Sequence, residues 1–471
     1  MAMEFIVPSV QIDESDVGTR PTDQMSLAGI GIVGTFERGP VNFATTIGDE
    51  DQLVNTFGSY VKGLTGYLSA IGALRQGAND LRIVRIVGEG AKKATLALMQ
   101  SSTTYLTVEA TSEGTWGNEI KVEVDKDAEA STFDLTITFR NSVEKFRELT
   151  LEKIADIVPK YVTLTLAENA SGLPDATEGA KSLAGGSDGA EVDDDDYIGA
   201  IDSSTGDRTG LKVLEPIQCG MVLCAQQTSD KIHSALITFC ENCDIEEGLR
   251  IAVLNTQDKL SVDSAIAQTK TLDSDRGVFA YPWVEPEELE GEYVAPDGYL
   301  AGVISVLNPH QSPSNKQVNG ILSTRGDYTY AQVKVLTEAR ICPITLVPNR
   351  GFRVRNGLTL SSDSAWSQIC IRRQQDKMNM ELWNAMQWAI SEPHDTPLWN
   401  NIAAQCDAYL QVQKNLGYIR GYKKTLCNSQ TNPPENIQAR ILTAIVRWLP
   451  LYPADFIVLR MKRELSEDDA A

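Results

Sequence analysis

Met221-Val-Leu-Cys-Ala225, Arg250-Ile-Ala-Val-Leu254 and Val278-Phe-Ala-Tyr-Pro-Trp283 are three short apolar runs separated by polar segments. Runs of this length suit buried strands. Between them, 231–241 and 262–272 read as helices. Strand and helix in alternation build an α/β sheet with helices on its faces. The same texture lies upstream. Residues 28–35 are apolar and glycine-rich, and 81–87 (Leu-Arg-Ile-Val-Arg-Ile-Val) are β-branched, so both are expected as strands. Helices are expected at 49–57, with Asp49 near the start, and at 64–76, closed by Gly77.

The pattern changes between these two blocks. Residues 105–110, 119–124 and 133–139 alternate apolar and polar, as half-buried antiparallel strands do. They mark an inserted β-rich domain over 96–204, which ends past the acid run Asp193–Asp196, expected as a solvated loop. The flanking pieces, 26–95 and 205–335, then form one middle α/β domain. Residues 1–25 read as an extended N-terminal arm, because Pro8 confines 4–12 to an edge strand. The remainder, 336–471, is expected to be a C-terminal α/β domain. The fold class is therefore mixed α/β (α+β), multi-domain, with extended terminal arms.

Two helices stand out in the last part. Met378, Leu382, Ala385, Met386 and Ala389 share one face of 374–391, and Pro393 stops that helix. Leu398, Ile402, Cys406, Tyr409 and Leu410 repeat the spacing in 397–416, with Thr396 as cap, Pro397 at the first position and Gly417 at the exit. Strands are expected at 439–449 and 455–461.

Charge divides the 471 residues unevenly. The formal net charge is −22. Residues 1–335 hold 26 Lys/Arg against 51 Asp/Glu, whereas 340–463 hold 16 against 8. The overall balance argues against nucleic-acid wrapping or an anionic membrane as partner, since both need surplus cations. No run approaches the ~18 apolar residues of a membrane span. The start, Met-Ala-Met-Glu-Phe, shows no secretory pattern, and the eight cysteines read as reduced core residues of a cytosolic chain. The mildly basic last third suits an acidic protein partner; drift of composition between domains is the plainer alternative.

Chemistry is hard to find. His233, His310 and His394 sit in no catalytic motif, and no phosphate-cradling Gly-x-x-x-x-Gly-Lys is present. Cys240-Glu-Asn-Cys243 lacks a matching second pair, because Cys219 and Cys224 are too loosely spaced and lie in a strand. Asp193–Asp196 lacks the alternating ligands and glycine of a calcium loop. Catalytic residues, cofactor and metal are all expected to be absent, and the chain is expected not to be an enzyme. A cytosolic α/β enzyme with a β-rich insertion is the rival reading; it calls for a defined small oligomer and a pocket of converging titratable groups.

Several stretches together resemble the tail sheath proteins of contractile phages and injection systems. Pro8-Ser9-Val10, Ile12-Asp13-Glu14, Arg20-Pro21 and Gly31-Ile-Val-Gly34-Thr-Phe-Glu37-Arg38-Gly39-Pro40 look like the family's opening. Phe57-Gly58, Leu81-Arg-Ile-Val-Arg-Ile86, Gly114-Thr-Trp116-Gly117-Asn118, Leu183-Ala-Gly185-Gly186-Ser-Asp188-Gly189 and Asp196-Tyr197-Ile198-Gly199 follow in order. Later come Tyr281-Pro282-Trp283, Ala301-Gly302-Val303, Gln387-Trp388-Ala389, Pro397-Leu398-Trp399, Thr431-Asn432-Pro433 and Pro453-Ala454-Asp455-Phe456-Ile457-Val458. Their collinear order covers nearly the whole chain.

The resemblance implies a structural subunit that stacks as six-fold rings around an inner tail tube. The sheath shortens and drives the tube through a target envelope. Partners implied are other copies of the chain, the inner tube protein, and baseplate and tail terminator proteins. No direct nucleic-acid contact and no membrane insertion are implied. The place implied is a virion tail assembled in the host cytoplasm, or the bacterial cytoplasm for an injection system. A baseplate or tail-cap subunit is a further alternative. Terminal arms are implied to add strands to a neighbour. The candidates here are Phe5, Ile6, Val7, Val10 and Ile12 at one end and Phe456, Ile457, Val458 and Leu459 at the other. The basic last third is implied to face the tube, which makes Arg372, Arg373, Lys377, Lys414, Lys423 and Lys424 the candidate contacts.

Overall fold

A computed structural model describes residues 26–461 except 102, 127–130 and 169. Contacts divide the chain into two compact units, one containing 26–377 and the segment from 453, the other containing 378–452. The candidate arm residues Phe5, Ile6, Val7, Val10 and Ile12 lie outside the described residues.

The first unit is built on an eight-stranded sheet. Its order from one edge is Gly351–Val354, Ile341–Val347, Gly277–Tyr281, Ile251–Asn255, Met221–Cys224, Ile30–Gly34, Leu81–Arg85 and Thr45–Ile47. The six inner strands are parallel, and each edge strand runs antiparallel to its neighbour. Ile30–Gly34 pairs with Leu81–Arg85 on one side and with Met221–Cys224 on the other. The sheet is thus assembled from both sides of the β-rich insertion. It also takes in 341–354, so this unit continues to Lys377.

Alternate residues serve alternate faces. Ile30, Ile32, Ile83, Leu223 and Val253 join one core cluster. Val33, Val84, Val222, Cys224 and Leu254 join the other. Helices Gly66–Leu74 and Asp297–Ser305 cover the first face, and Asp230–Glu241 the second. Each fully buried Leu, Ile or Val contributes about 1.5–3 kcal/mol. The first two helices approach closely because Gly298 has no Cβ; one added there would stand 1.9 Å from the Ser69 carbonyl oxygen.

The insertion holds a three-stranded sheet (Thr95–Gln100, Thr103–Ala110, Val162–Leu166) and a four-stranded one (Lys181–Ser182, Lys121–Asp125, Phe133–Phe139, Ser142–Leu149). Buried and half-buried residues alternate strictly along Phe133–Phe139. Two stretches that carry the family resemblance meet here. Asn118 and Gly186 exchange two hydrogen bonds of 2.9 Å, and Thr115 Oγ1 donates to Asp188 at 2.7 Å. Arg85 ties the insertion to the sheet. Its buried guanidinium donates to the carbonyls of Phe36, Gly39 and Glu113 at 2.9–3.0 Å, and burial lowers its pKa to about 10.

The acid run is not a loop. Asp193 caps the short helix Asp194–Ile198, accepting from the amides of Asp195 and Asp196, while Asp196 accepts from the Asp193 amide. Carboxylates at a helix start satisfy free N–H groups and oppose the helix dipole, which is why four acids in a row fold there.

Candidate assembly interface

The unit of residues 378–452 is built on two long helices, the short helix Pro434–Gln438 and a two-stranded sheet. Helix Ile369–Ala385 enters it from the sheet unit, and Thr396–Asn415 follows. The first helix starts five residues earlier and ends six residues sooner than its periodicity suggests, because Gln387–Ala389 tightens into a 3-10 turn. Asp395, not Thr396, caps the second helix, its side chain accepting from the Leu398 amide at 2.9 Å.

The helices and the hairpin close a small core. Met378, Tyr409, Leu410 and Ile419 are buried with Tyr422, Val446 and Trp448 against them. Leu398, Ile402 and Cys406 form a second patch with Met386, Leu442 and Ala444. Polar pairs fix the packing. Trp388 Nε1 donates to Gln405 at 2.9 Å, and the Thr425 amide donates to Asp407 at 2.8 Å, joining the second helix to the hairpin. Asn432, in the Thr-Asn-Pro stretch, accepts from the Thr443 amide at 2.7 Å and donates back to its carbonyl at 3.1 Å.

The hairpin pairs Gly421–Leu426 with Ile445–Leu449, in register Tyr422 to Trp448. The sheet has only these two strands, so among the described residues both outer edges carry no ladder partner. The helices packed against it support this pair, and its edges remain able to take further strands. The strand expected over 439–449 begins only at Ile445, since short helix Pro434–Gln438 and a turn precede it.

The strand expected over 455–461 has no ladder at all. The reason lies in its setting: a strand requires a neighbour to bond to, and none flanks this segment among the described residues. Phe456, Ile457, Val458 and Leu459 are 88, 80, 78 and 82% exposed, and Met461 94%. Four consecutive large apolar residues in water are an unpaid cost that contact with another surface removes.

The six candidate cations fall into two sets. Lys414, Lys423 and Lys424 are exposed, all in the 378–452 unit. Arg372, Arg373 and Lys377 are buried in the other unit, 8, 2 and 8% exposed, and so leave the surface set. Arg373 donates to the carbonyls of Ile304, Leu307 and Leu27 at 2.9–3.3 Å, and burial lowers its pKa to about 10. Arg372 pairs with Asp275 at 2.9 Å and Asp376 at 2.7 Å and lies over the Trp366 ring. Asp376 also pairs with Arg276. The apolar run Ile369-Cys-Ile371 precedes the two arginines, but consecutive apolar residues define no single helix face, so the sequence does not mark them as buried.

Comparison with known proteins bears on all of this. Residues 190–360 match the phage tail sheath protein central domain. A putative prophage major tail sheath protein of Pseudomonas aeruginosa is 26% identical over 242 residues, which is 48% of this chain and 61% of that protein. The chain therefore spans about 61% of the length of that curated relative in the match. Among solved structures, the sheath tail protein from Listeria innocua superposes with a TM-score of 0.66 at 15% identity, covering 91% of this chain and 96% of that one. The sheath tail protein from Desulfitobacterium hafniense gives 0.65 at 15% identity, covering 90% and 94%. The helical sheath of the anti-feeding prophage in its contracted state gives 0.58 at 15% identity, covering 97% and 99%. What these structures share with this chain is the mixed α+β fold.

Proposed function

We propose that this chain, whose residues 190–360 match the phage tail sheath protein central domain, is the repeating subunit of a contractile sheath. Copies stack as six-fold rings around an inner tube, shorten together, and push that tube through a target envelope. Baseplate and terminator proteins bound the stack at its ends. The site of action is the tail, whether of a virion or of a bacterial injection machine.

The observation that carries this reading is the pairing of two incomplete features. Among the described residues, one chain presents an exposed apolar segment, Phe456–Leu459, with no strand partner, and a two-stranded sheet with two open edges. Copies complete each other when the segment of one adds as a strand to the sheet of the next. Main-chain hydrogen bonds then supply affinity and alternate side chains set register. Work is stored as packing: the extended lattice is one arrangement of these clasped copies and the contracted lattice another, of lower free energy. No bound nucleotide enters this account. Exposed Lys414, Lys423 and Lys424 face the tube, where charge contacts worth about 0–1 kcal/mol each hold it without locking it.

Removal of residues 453–471, or of 1–14, tests the clasp. The truncated protein is expected to stay folded, with its melting temperature within a few degrees of the full chain, and to form no striated cylinders in negative stain. Long cylinders from either truncation would overturn the clasp. Isolated rings from the full chain, without tubes, would favour a baseplate or tail-cap subunit instead.

A further inference from the structure

We infer that the 378–452 unit carries an apolar pocket that receives side chains of the segment Phe456–Leu459 of a second copy. The pocket is about 860 Å³. It is lined by Met386 and Ile390 after the first long helix, Leu398 and Ile402 of the second, and Leu442 and Ala444 just before the second hairpin strand. Ile390 is 67% exposed there. An aliphatic pocket open to water marks an interaction site.

Volume alone does not choose the occupant; apolar match, charge and position do. The same chain exposes four consecutive large apolar residues, Phe456 to Leu459, which join no sheet among the described residues. Successive side chains of an extended segment point to opposite faces, so alternate ones enter the pocket together. Two charged side chains, Glu392 and Arg440, also line it. Both are exposed, and neither forms an ion pair among the described residues. The segment is bracketed by Asp455 on one side and Arg460 on the other. One direction of entry sets Arg460 against Glu392 and Asp455 against Arg440; the reverse brings like charges together. Charge thus selects the direction.

Position agrees. Leu442 and Ala444 lead into Ile445, the first residue of the second hairpin strand, and Val446 packs in one cluster with Leu398 and Ile402. A segment laid beside the start of that strand reaches the pocket with its inward side chains. The inference rests on the clasp proposed above and names the site that receives it: the ladder supplies affinity, and the pocket fixes register and direction.

Sedimentation of the full chain tests it. Ile390→Asp changes an exposed residue, so the fold is kept, and the concentration for half self-association is expected to rise about tenfold. Glu392→Arg is expected to raise it about threefold, and Glu392→Arg with Arg460→Glu to return it toward wild type. That recovery is what general damage to the unit would not give. Wild-type association in Ile390→Asp, or no recovery in the charge swap, would overturn the pocket. Cylinders formed equally well by Ile390→Asp would remove the pocket and keep the sheath reading, whereas pocket-dependent association without cylinders would do the reverse. Oxidation of mixed pools gives a second measurement. Ile390→Cys chains mixed with Ile457→Cys or with Val458→Cys chains are expected to give a disulfide-linked dimer for one of these neighbours and not the other. A dimer band from neither would count against the site.

Discussion

The two compact units of this chain satisfy their backbones in opposite ways. In the sheet unit six inner strands each have two neighbours, two antiparallel edges are short, and helices cover both faces. In the 378–452 unit a single hairpin has two edges without a ladder partner among the described residues. The apolar segment after Pro453, which contacts assign to the sheet unit, is exposed and joins no sheet among the described residues. The difference separates two jobs. One region satisfies its own backbone; among the described residues the others leave ladder groups and apolar side chains without partners, which is what the proposed clasp requires.

The sharpest way to break that contrast is to strip the sheet unit of an internal support. Asp297 is fully buried and accepts four hydrogen bonds, from Ser69 Oγ (2.8 Å), Asn255 Nδ2 (2.8 Å) and the amides of Gln226 (2.7 Å) and Gly298 (2.6 Å). It joins the ends of two strands to both helices of one face. Asp297→Ala leaves these donors stranded in the core and is expected to cost about 3–5 kcal/mol of unfolding free energy in denaturant titration. A loss below about 1 kcal/mol would mean that the sheet unit is not held together in this way.

A second test uses acid. His233 is fully buried against the Phe279 ring, with neither ring nitrogen hydrogen-bonded. Burial lowers its pKa to about 4 from 6.5. The unfolded chain therefore takes up a proton between these values and the folded chain does not. Stability is full above pH 6.5 and falls as the pH drops toward 4, by about 3 kcal/mol from this group. Sheet-unit stability in His233→Leu is expected to lose that slope between pH 6.5 and 4. An unchanged slope would place the acid sensitivity in other groups.

How much of this was legible in the sequence follows from what each signal measures. Periodicity and apolar runs report burial, so the parallel strands around Met221, Ile251 and Val278 and the alternation of Phe133–Phe139 were readable directly. Charge reports only composition. Arg372, Arg373 and Lys377 count as positive residues of a basic third, yet the first two spend their donors on Asp275, Asp376 and buried carbonyls from residues up to 346 positions away. No local pattern encodes partners that distant. The segment 455–461 shows the converse limit. Its sequence is that of a strand, but strand formation needs a second chain segment, which the sequence of one copy does not position.

The smallest expected effect concerns the exposed lysines. Lys423 lies opposite Arg447 in the hairpin register, and Lys423 and Lys424 are both exposed, so they already repel rather than pair. Like charges directly opposite destabilise a strand pair. Lys423→Glu with Lys424→Glu removes that repulsion, so protomer stability is expected to change by less than about 1 kcal/mol, upward if at all. The change should instead appear in assembly: cylinders that form without a tube, or that are already contracted, in a manner sensitive to salt over a Debye length of about 8–10 Å. Tails of normal extended length from this double variant would show that the open hairpin, for all its exposure, turns its lysines to solvent rather than to a tube. The clasp would then stand without the tube contact, because the first rests on backbone ladders and the second on side-chain charge.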